Sequence, residues 1–232
     1  MMNATQDVFV DRYQAGIELA GKLLDEPLVA DASREELLVL SIPRGGVMVG
    51  AALAEVLGCA HEVIVVKKIG FPGQPELAIG AVAEDGLVIW DDALLPFCHR
   101  AGGGIEQSLA QAKAKVEQYT TKFRANRPLE IAARTVILTD DGIATGETMK
   151  AAICWANARG PAQQGKALIA AVPVCSPHTA EEIEPLVDRL VCLARPQQFF
   201  AVGQFYWDFS QISDHDVLAY LEPPREPMPL PA

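Results

Sequence analysis

Histidine and cysteine are both scarce in this chain, four and five among 232 residues, and neither is arranged for metal or redox work. The cysteines at 59, 98, 154, 175 and 192 are scattered and odd in number, with no CxxC pair. That excludes the usual zinc and disulfide frameworks and favours buried thiols in a reducing compartment. None of the four histidines falls in a spacing that suggests a covalent intermediate. Half of the residues are apolar, yet no uncharged run approaches the length of a membrane span. The first residues lack the basic start and apolar block of a secretory leader, so the expected location is cytoplasmic. Positive charge is short as well. A net charge of −11 disfavours nonspecific binding to nucleic acid or to an anionic membrane. No internal repeat is visible, and the closing PPREPMPLPA is too rich in proline to pack as a regular element.

What the chain does have is VILTDDGIATGET, residues 136 to 148. Val136, Ile137 and Leu138 read as a strand covered on both faces, because aliphatic residues run there without alternation. Asp140 and Asp141 then fall at its carboxyl end, where open α/β sheets place their ligand crevices. Gly142, Ala144 and Gly146 keep side chains out of the way, so that backbone amides of the turn and of the next helix start converge on an anion. Thr145 and Thr148 add hydroxyls. An isolated DDG is an ordinary turn; the strand before it and the helix after it point to a phosphate flanked by a group rich in hydroxyls. A nucleoside triphosphate loop would need a lysine where Glu147 stands, and no GxGxxG follows the first strand.

The remaining pattern is that of an α/β domain. Phe9, Tyr13, Ile17, Ala20 and Leu24 recur at helical spacing, with Asp7 available as a cap, and predict a packing helix over 8 to 24. Glu35 to Ile42 is the first core strand; PRGG and the helix-like VMVGAALAEVLG follow, then HEVIVVKK, residues 61 to 68, as the second. This strand–helix–strand order predicts a parallel sheet with right-handed crossovers. AIGAVAE and LVIW are further strands, as are 134 to 140, 165 to 173 and 188 to 193, with helices near 147 to 159 and 177 to 186, the latter capped by Ser176 and opened by Pro177. Between them lies an insertion. After the flexible GGG at 102 to 104, Ile105, Leu109, Ala112, Val116, Tyr119 and Phe123 form the narrow apolar stripe of one continuous helix. Sheet packing is its first reading and a subunit contact its second.

The signature at 136 to 148 resembles that of the type I phosphoribosyltransferases, in which the loop holds the 5′-phosphate of phosphoribosyl pyrophosphate and the acids hold the ribose hydroxyls. The chain is similar, from about Phe9 to Leu221, to a group of bacterial and archaeal members carrying PRGG, PELAIGAVAEDG and this loop. The resemblance implies a Rossmann-like parallel sheet flanked by helices, the type I phosphoribosyltransferase fold, with a small hood and the helical insertion. It implies a single domain over 1 to 222, with the insertion at about 91 to 127, a hood and acceptor segment at about 195 to 222, and a proline-rich tail at 223 to 232. It also implies that Arg44, Gly45 and Gly46 bind pyrophosphate through backbone amides, with a cis bond between Pro43 and Arg44. Gly142, Ile143, Ala144, Thr145, Gly146, Glu147 and Thr148 would clamp the 5′-phosphate, and Asp140 and Asp141 would hold the ribose.

Lys67 and Lys68 close the second strand and precede a loop, 69 to 77, that reads as a mobile lid over the leaving pyrophosphate. In the acceptor segment Phe199, Phe200, Tyr206, Trp207 and Asp208 suit a planar nitrogen heterocycle, although core packing is the ordinary role of such a group. Phe200 and Asp208 are the acceptor candidates. Ala144 stands where purine enzymes usually carry an aspartate, which resembles uracil enzymes instead. The expected reaction is transfer of phosphoribose to a nitrogenous base or related nitrogen nucleophile, within nucleotide metabolism, by a homodimer. Mg2+ is expected to bind mainly through substrate oxygens, with Asp140 and Asp141 the only protein candidates. The other reading is a non-catalytic regulatory module that senses the donor or a nucleotide.

Overall fold

A computed structural model of the chain describes residues 9–90, 94, 97, 104–125, 127–159 and 165–221. Its centre is a parallel sheet of five strands in the order β2-β1-β6-β7-β8, formed by β1 (Leu37–Ser41), β2 (Ala60–Val63), β6 (Thr135–Thr139), β7 (Leu168–Val174) and β8 (Arg189–Ala194). Every residue of β1, β6 and β7 is buried, as expected of strands covered on both faces. Alternate residues divide between two cores. Leu38, Leu40, Val136 and Leu138 meet Met149, Ile153 and Trp155 of α5 (Glu147–Arg159). Val39, Ile137 and Ile169 meet Leu19 and Leu23 of α1 (Arg12–Leu24) and Val49 and Leu53 of α3 (Gly46–Leu57).

The first helix is shorter and turned relative to the sequence pattern. Asp7 lies outside the described residues; Asp11 is the cap, its Oδ1 accepting from Gln14 N at 2.8 Å. The buried face is Arg12, Ala15, Gly16, Leu19, Ala20 and Leu23, while Ile17 and Leu24 are exposed. Small residues explain the shift. A Cβ on Gly16 would sit 2.7 Å from Ala52 Cβ, so α1 approaches α3 closely only on this face. A short turn of helix, α2 (Pro27–Ala30), follows.

The predicted second strand, 61 to 68, is two strands. β2 stays in the parallel sheet, and the chain leaves it at Ile64 and Val65 to start β3 (Val66–Phe71). With β4 (Gln74–Ala83) and β5 (Val88–Trp90), β3 forms a separate antiparallel sheet. The segment read as an irregular lid at 69 to 77 is therefore the end of a hairpin. Two prolines and two glycines marked it as loop, but they serve the tip: Gly73 adopts φ 82°, and the register shifts at Ile69–Gly70 and Gly70–Phe71. Over one face of this small sheet lies α4 (Ile105–Arg124), one continuous helix whose Ala112 and Val116 pack with Val65, Ile69, Ile79 and Val82. The stripe is thus sheet packing, on the small sheet rather than the large one. At its far end the buried Arg124 pairs with buried Glu84, whose other oxygen accepts from Val65 N at 2.8 Å. Helices α6 (Pro177–Ile183) and α7 (Asp214–Leu221) complete the described chain. Most of the insertion before α4, Gly102 and Gly103 of the glycine tract, and the tail at 223 to 232 lie outside the described residues. Among the described residues no helix is long and apolar enough to cross a membrane.

Candidate active site

From β1 the chain turns to one side of the sheet to make β2 and later returns on the other side as β6, so the order reverses between β1 and β6. The carboxyl ends of such a strand pair diverge into a crevice. PRGG leaves β1 there, and the two acids leave β6. The peptide joining Pro43 and Arg44 is cis, as expected. The two loops are in contact. A Cβ on Gly45 would overlap the carboxylate of Asp141, and one on Gly46 would lie 2.8 Å from Asp140 Cα. PRGG therefore needs glycine at both places because the acids occupy the space a side chain would take.

Behind PRGG, Ser41 Oγ lies 2.8 Å from His61 Nε2. Burial pushes the imidazole down to about 4, with the Tyr220 backbone pulling the other way. The Ser41–His61 contact ties the end of β1 to β2.

The acid pair is deeply set. Asp140 Oδ1 accepts from Asp141 N at 2.8 Å, Asp141 Oδ2 meets Arg12 Nε at 2.7 Å, and the Asp141 carbonyl accepts from Tyr206 Oη at 2.5 Å. Burial, and after it the charge of Asp141, raises Asp140 well above the usual carboxylate range. Burial also raises Asp141, against the opposing pull of Arg12. Two half-buried carboxylates facing one guanidinium leave a local demand for positive charge, which suits a cation arriving with substrate.

In the loop itself, Ile143 is buried and fixed, its amide donating to the Val174 carbonyl at 2.9 Å. Ala144 and Thr145 are exposed, and the Ala144 carbonyl is held by Thr179 Oγ1 at 2.6 Å and Ser176 Oγ at 3.0 Å. Gly146, at φ 79°, leads into α5, whose first amides have no carbonyl a turn earlier to bond. Glu147 is turned to Lys150 at 3.3 Å, and Lys150 also meets Glu182; Thr148 lies in the first turn of α5.

The two lysines separate. Neighbours on a strand point to opposite faces, and Lys68 Nζ reaches Thr145 Oγ1 at 3.2 Å while Lys67 Nζ lies 4.3 Å from the centre of the Tyr119 ring on α4. Burial, then the charges of Arg44 and Lys115, lowers the Lys67 pKa. Arg44 stands 3.9 Å from Asp214, which also pairs with Lys122. Lys68 thus joins the loop at 142 to 148 directly, while Lys67 faces α4.

The acceptor candidates stand differently. Phe200 is 86 % and Trp207 80 % exposed. The Asp208 carboxylate accepts from Ser210, whose hydroxyl and amide hold it below the usual carboxylate range. The segment that carries them is seated on the signature loop: a Cβ on Gly142 would be 2.6 Å from Val202, and one on Gly203 2.7 Å from Phe209. Its other edge is pinned to residues 9 and 10, with Trp207 N donating to the Phe9 carbonyl and Asp208 N to that of Val10, both at 2.9 Å. Arg12 and the hydroxyl role of Tyr206 were not predicted from sequence. The available signal for Arg12 was a cation at the start of an amphipathic helix, on the face that small residues, rather than large ones, mark as buried.

A phosphoribosyl transferase domain model matches residues 9–210. Proteins of two strains of Mycobacterium tuberculosis, each described as a "Putative phosphoribosyl transferase", are 37 % identical over 216 residues, 93 % of this chain and 46 % of theirs. The chain spans about half the length of these relatives. Among solved structures, TT1426 from Thermus thermophilus is 36 % identical, with a TM-score of 0.74 over 92 % of this chain and 97 % of that one. With the switch-point crevice, the paired loops and these matches together, the chain belongs to the phosphoribosyl transferase domain family.

Proposed function

We propose that this protein is an enzyme that transfers phosphoribose from phosphoribosyl pyrophosphate to a nitrogen nucleophile and releases pyrophosphate. The observation that carries the reading is the close fit of Gly45 and Gly46 against Asp141 and Asp140, which supports a donor held between the PRGG loop and the acid pair. The 5′-phosphate would lie against the amides of residues 142 to 148, with Thr145 and Lys68 beside it. The ribose hydroxyls would face Asp140 and Asp141, and the pyrophosphate the amides of Gly45 and Gly46 with Arg44. As the bond to pyrophosphate breaks, the sugar ring gains positive charge, and half-buried carboxylates already in place stabilise it without reorganisation. Charge gathers on the leaving group at the same moment, where Arg44 and the field of Lys67 lower its energy.

Asp140 and Asp141 are the side chains that would hold Mg2+ on the protein side, and the ion would supply positive charge to offset that of the leaving pyrophosphate. The acceptor is a nitrogenous base or related nitrogen nucleophile recognised by the 199 to 208 segment. We read residues 1 to 222 as one domain, acting as a cytoplasmic homodimer in nucleotide metabolism. Isotope-labelled donor incubated with Mg2+ and a panel of purines, pyrimidines and simple amines tests the assignment. A labelled nucleotide is the expected product. Binding of donor with no product from any acceptor would instead favour the donor-sensing module, and no binding at all would sink both.

A further inference from the structure

Arg12 occupies a position that stability alone would not choose. It is the first residue of α1, where the helix dipole presents positive charge, and no acid stands in that first turn. It is also only 6 % exposed, so its guanidinium has given up most of its water. Three contacts from two other parts of the chain compensate. Nε bonds Asp141 Oδ2 at 2.7 Å, an Nη donates to the Ser210 carbonyl at 3.0 Å, and the guanidinium lies 3.7 Å from the centre of the Phe209 ring. The first partner belongs to the donor crevice and the other two to the acceptor segment.

We propose that Arg12 is a positioning residue that couples the acceptor segment to the ribose-facing acid, so that the conformation of residues 206 to 210 sets how well Asp141 is placed for the donor. The inference rests on the donor assignment above. A guanidinium is suited to this coupling because its planar fork engages a carboxylate along one edge and a carbonyl along another while its face stacks on a ring. Asp141 is held between two restraints from that segment and its neighbour, Arg12 on the side chain and the Tyr206 hydroxyl on the carbonyl. Phe209 faces Arg12 and also meets the Tyr206 ring, with centroids 5.2 Å apart, so it reaches Asp141 by two paths, through Arg12 to the side chain and through Tyr206 to the carbonyl. Movement of the segment when an acceptor arrives would reach Asp141 by the same paths, and donor affinity and acceptor occupancy would be linked in both directions.

The test is a double-mutant cycle read by calorimetric titration with phosphoribosyl pyrophosphate and Mg2+, with melting curves to follow folding. Arg12→Met is expected to weaken donor affinity about tenfold and Phe209→Leu about threefold, with a combined loss well below the product of the two, because much of the second acts through the first. Arg12→Lys, which keeps the charge but loses the fork and the stack, should fall between wild type and Arg12→Met. Additive losses, or an Arg12→Met protein that binds donor like wild type, would overturn the coupling while leaving the donor assignment intact. A wild type that binds no donor overturns both. If Arg12→Met does not fold, the same cycle run with Arg12→Lys and Phe209→Leu decides the question, since a merely structural arginine leaves the Phe209→Leu effect unchanged.

Discussion

The proposed donor rim and the proposed acceptor segment are built on opposite plans. The rim is made of two short continuous stretches, each fixed by the strand that feeds it, and its glycines and acids fill each other's space. The segment at 199 to 213 has no strand of its own; it is held by Val202 on Gly142, by the Tyr206 hydroxyl, by Arg12, and by an edge pairing with residues 9 and 10. Local construction leaves almost no tolerance for substitution and makes for a motif that is easily read. Construction by scattered contacts exposes large aromatic surface and leaves room for change, as would suit the proposed acceptor role.

The sharpest test of this contrast is at the acids. Asp140→Asn with Asp141→Asn should cost stability, because the buried Arg12 loses its charged partner, but keep the fold, while donor affinity measured by calorimetry falls on the order of 100-fold. Unchanged binding would break the comparison at its root. Next, Gly45→Ala forces a methyl into the Asp141 carboxylate and should cost about 1–3 kcal/mol of stability by denaturant titration, with a loss of donor affinity. Gly21→Ala, on the open face of α1 where nothing lies within 4 Å, should instead stabilise by up to about 1 kcal/mol.

The support of the rim is also pH-sensitive through His61. Its folded pKa of about 4 lies below the ordinary value near 6.5, so the folded state binds fewer protons than the unfolded one in that window. The contribution of the neutral ring is complete above about pH 6.5 and is lost as pH falls toward 4. Wild type minus His61→Asn should therefore show a difference in unfolding free energy that shrinks by about 1–3 kcal/mol across this range; a constant difference would place the ring in water. The smallest effect belongs to the acceptor segment. Trp207→Ala should change stability by less than about 0.5 kcal/mol and leave donor affinity alone, while raising KM for the acceptor; an equal fall in donor affinity would erase the distinction between the two regions.

The same contrast explains what the sequence made legible. The parallel sheet, the helix from Glu147 to Arg159, the helical insertion and the cis bond at Pro43–Arg44 all follow from short-range pattern or from a motif resemblance tied to consecutive residues. The break between β2 and β3 was hidden because HEVIVVKK is uniformly strand-like, and nothing in a run of β-branched residues says that it changes sheets. The hairpin end was hidden because Gly and Pro mark a tight turn as readily as an irregular loop. Arg12 was invisible for a different reason: its partners lie 129 and 198 residues away, and no spacing rule reaches that far. Lys67 and Lys68 could be named but not distinguished until their strand was seen to have α4 on one side and the Thr145 loop on the other.

The Glu84 and Arg124 pair at the back of the small sheet has its own implication for how the crevice would close. Glu84 grips the Val65 amide at the joint where the chain leaves the large sheet, and Arg124 is the last residue of α4. Hairpin and helix share one core along their length and are clamped together at the joint. They are therefore one plate whose other face rests on α5, where Val66, Ala81 and Ala83 share a core with Met149, Ile153 and Trp155, so that any closure toward Thr145 would move the plate as a unit and bring every residue on it at once.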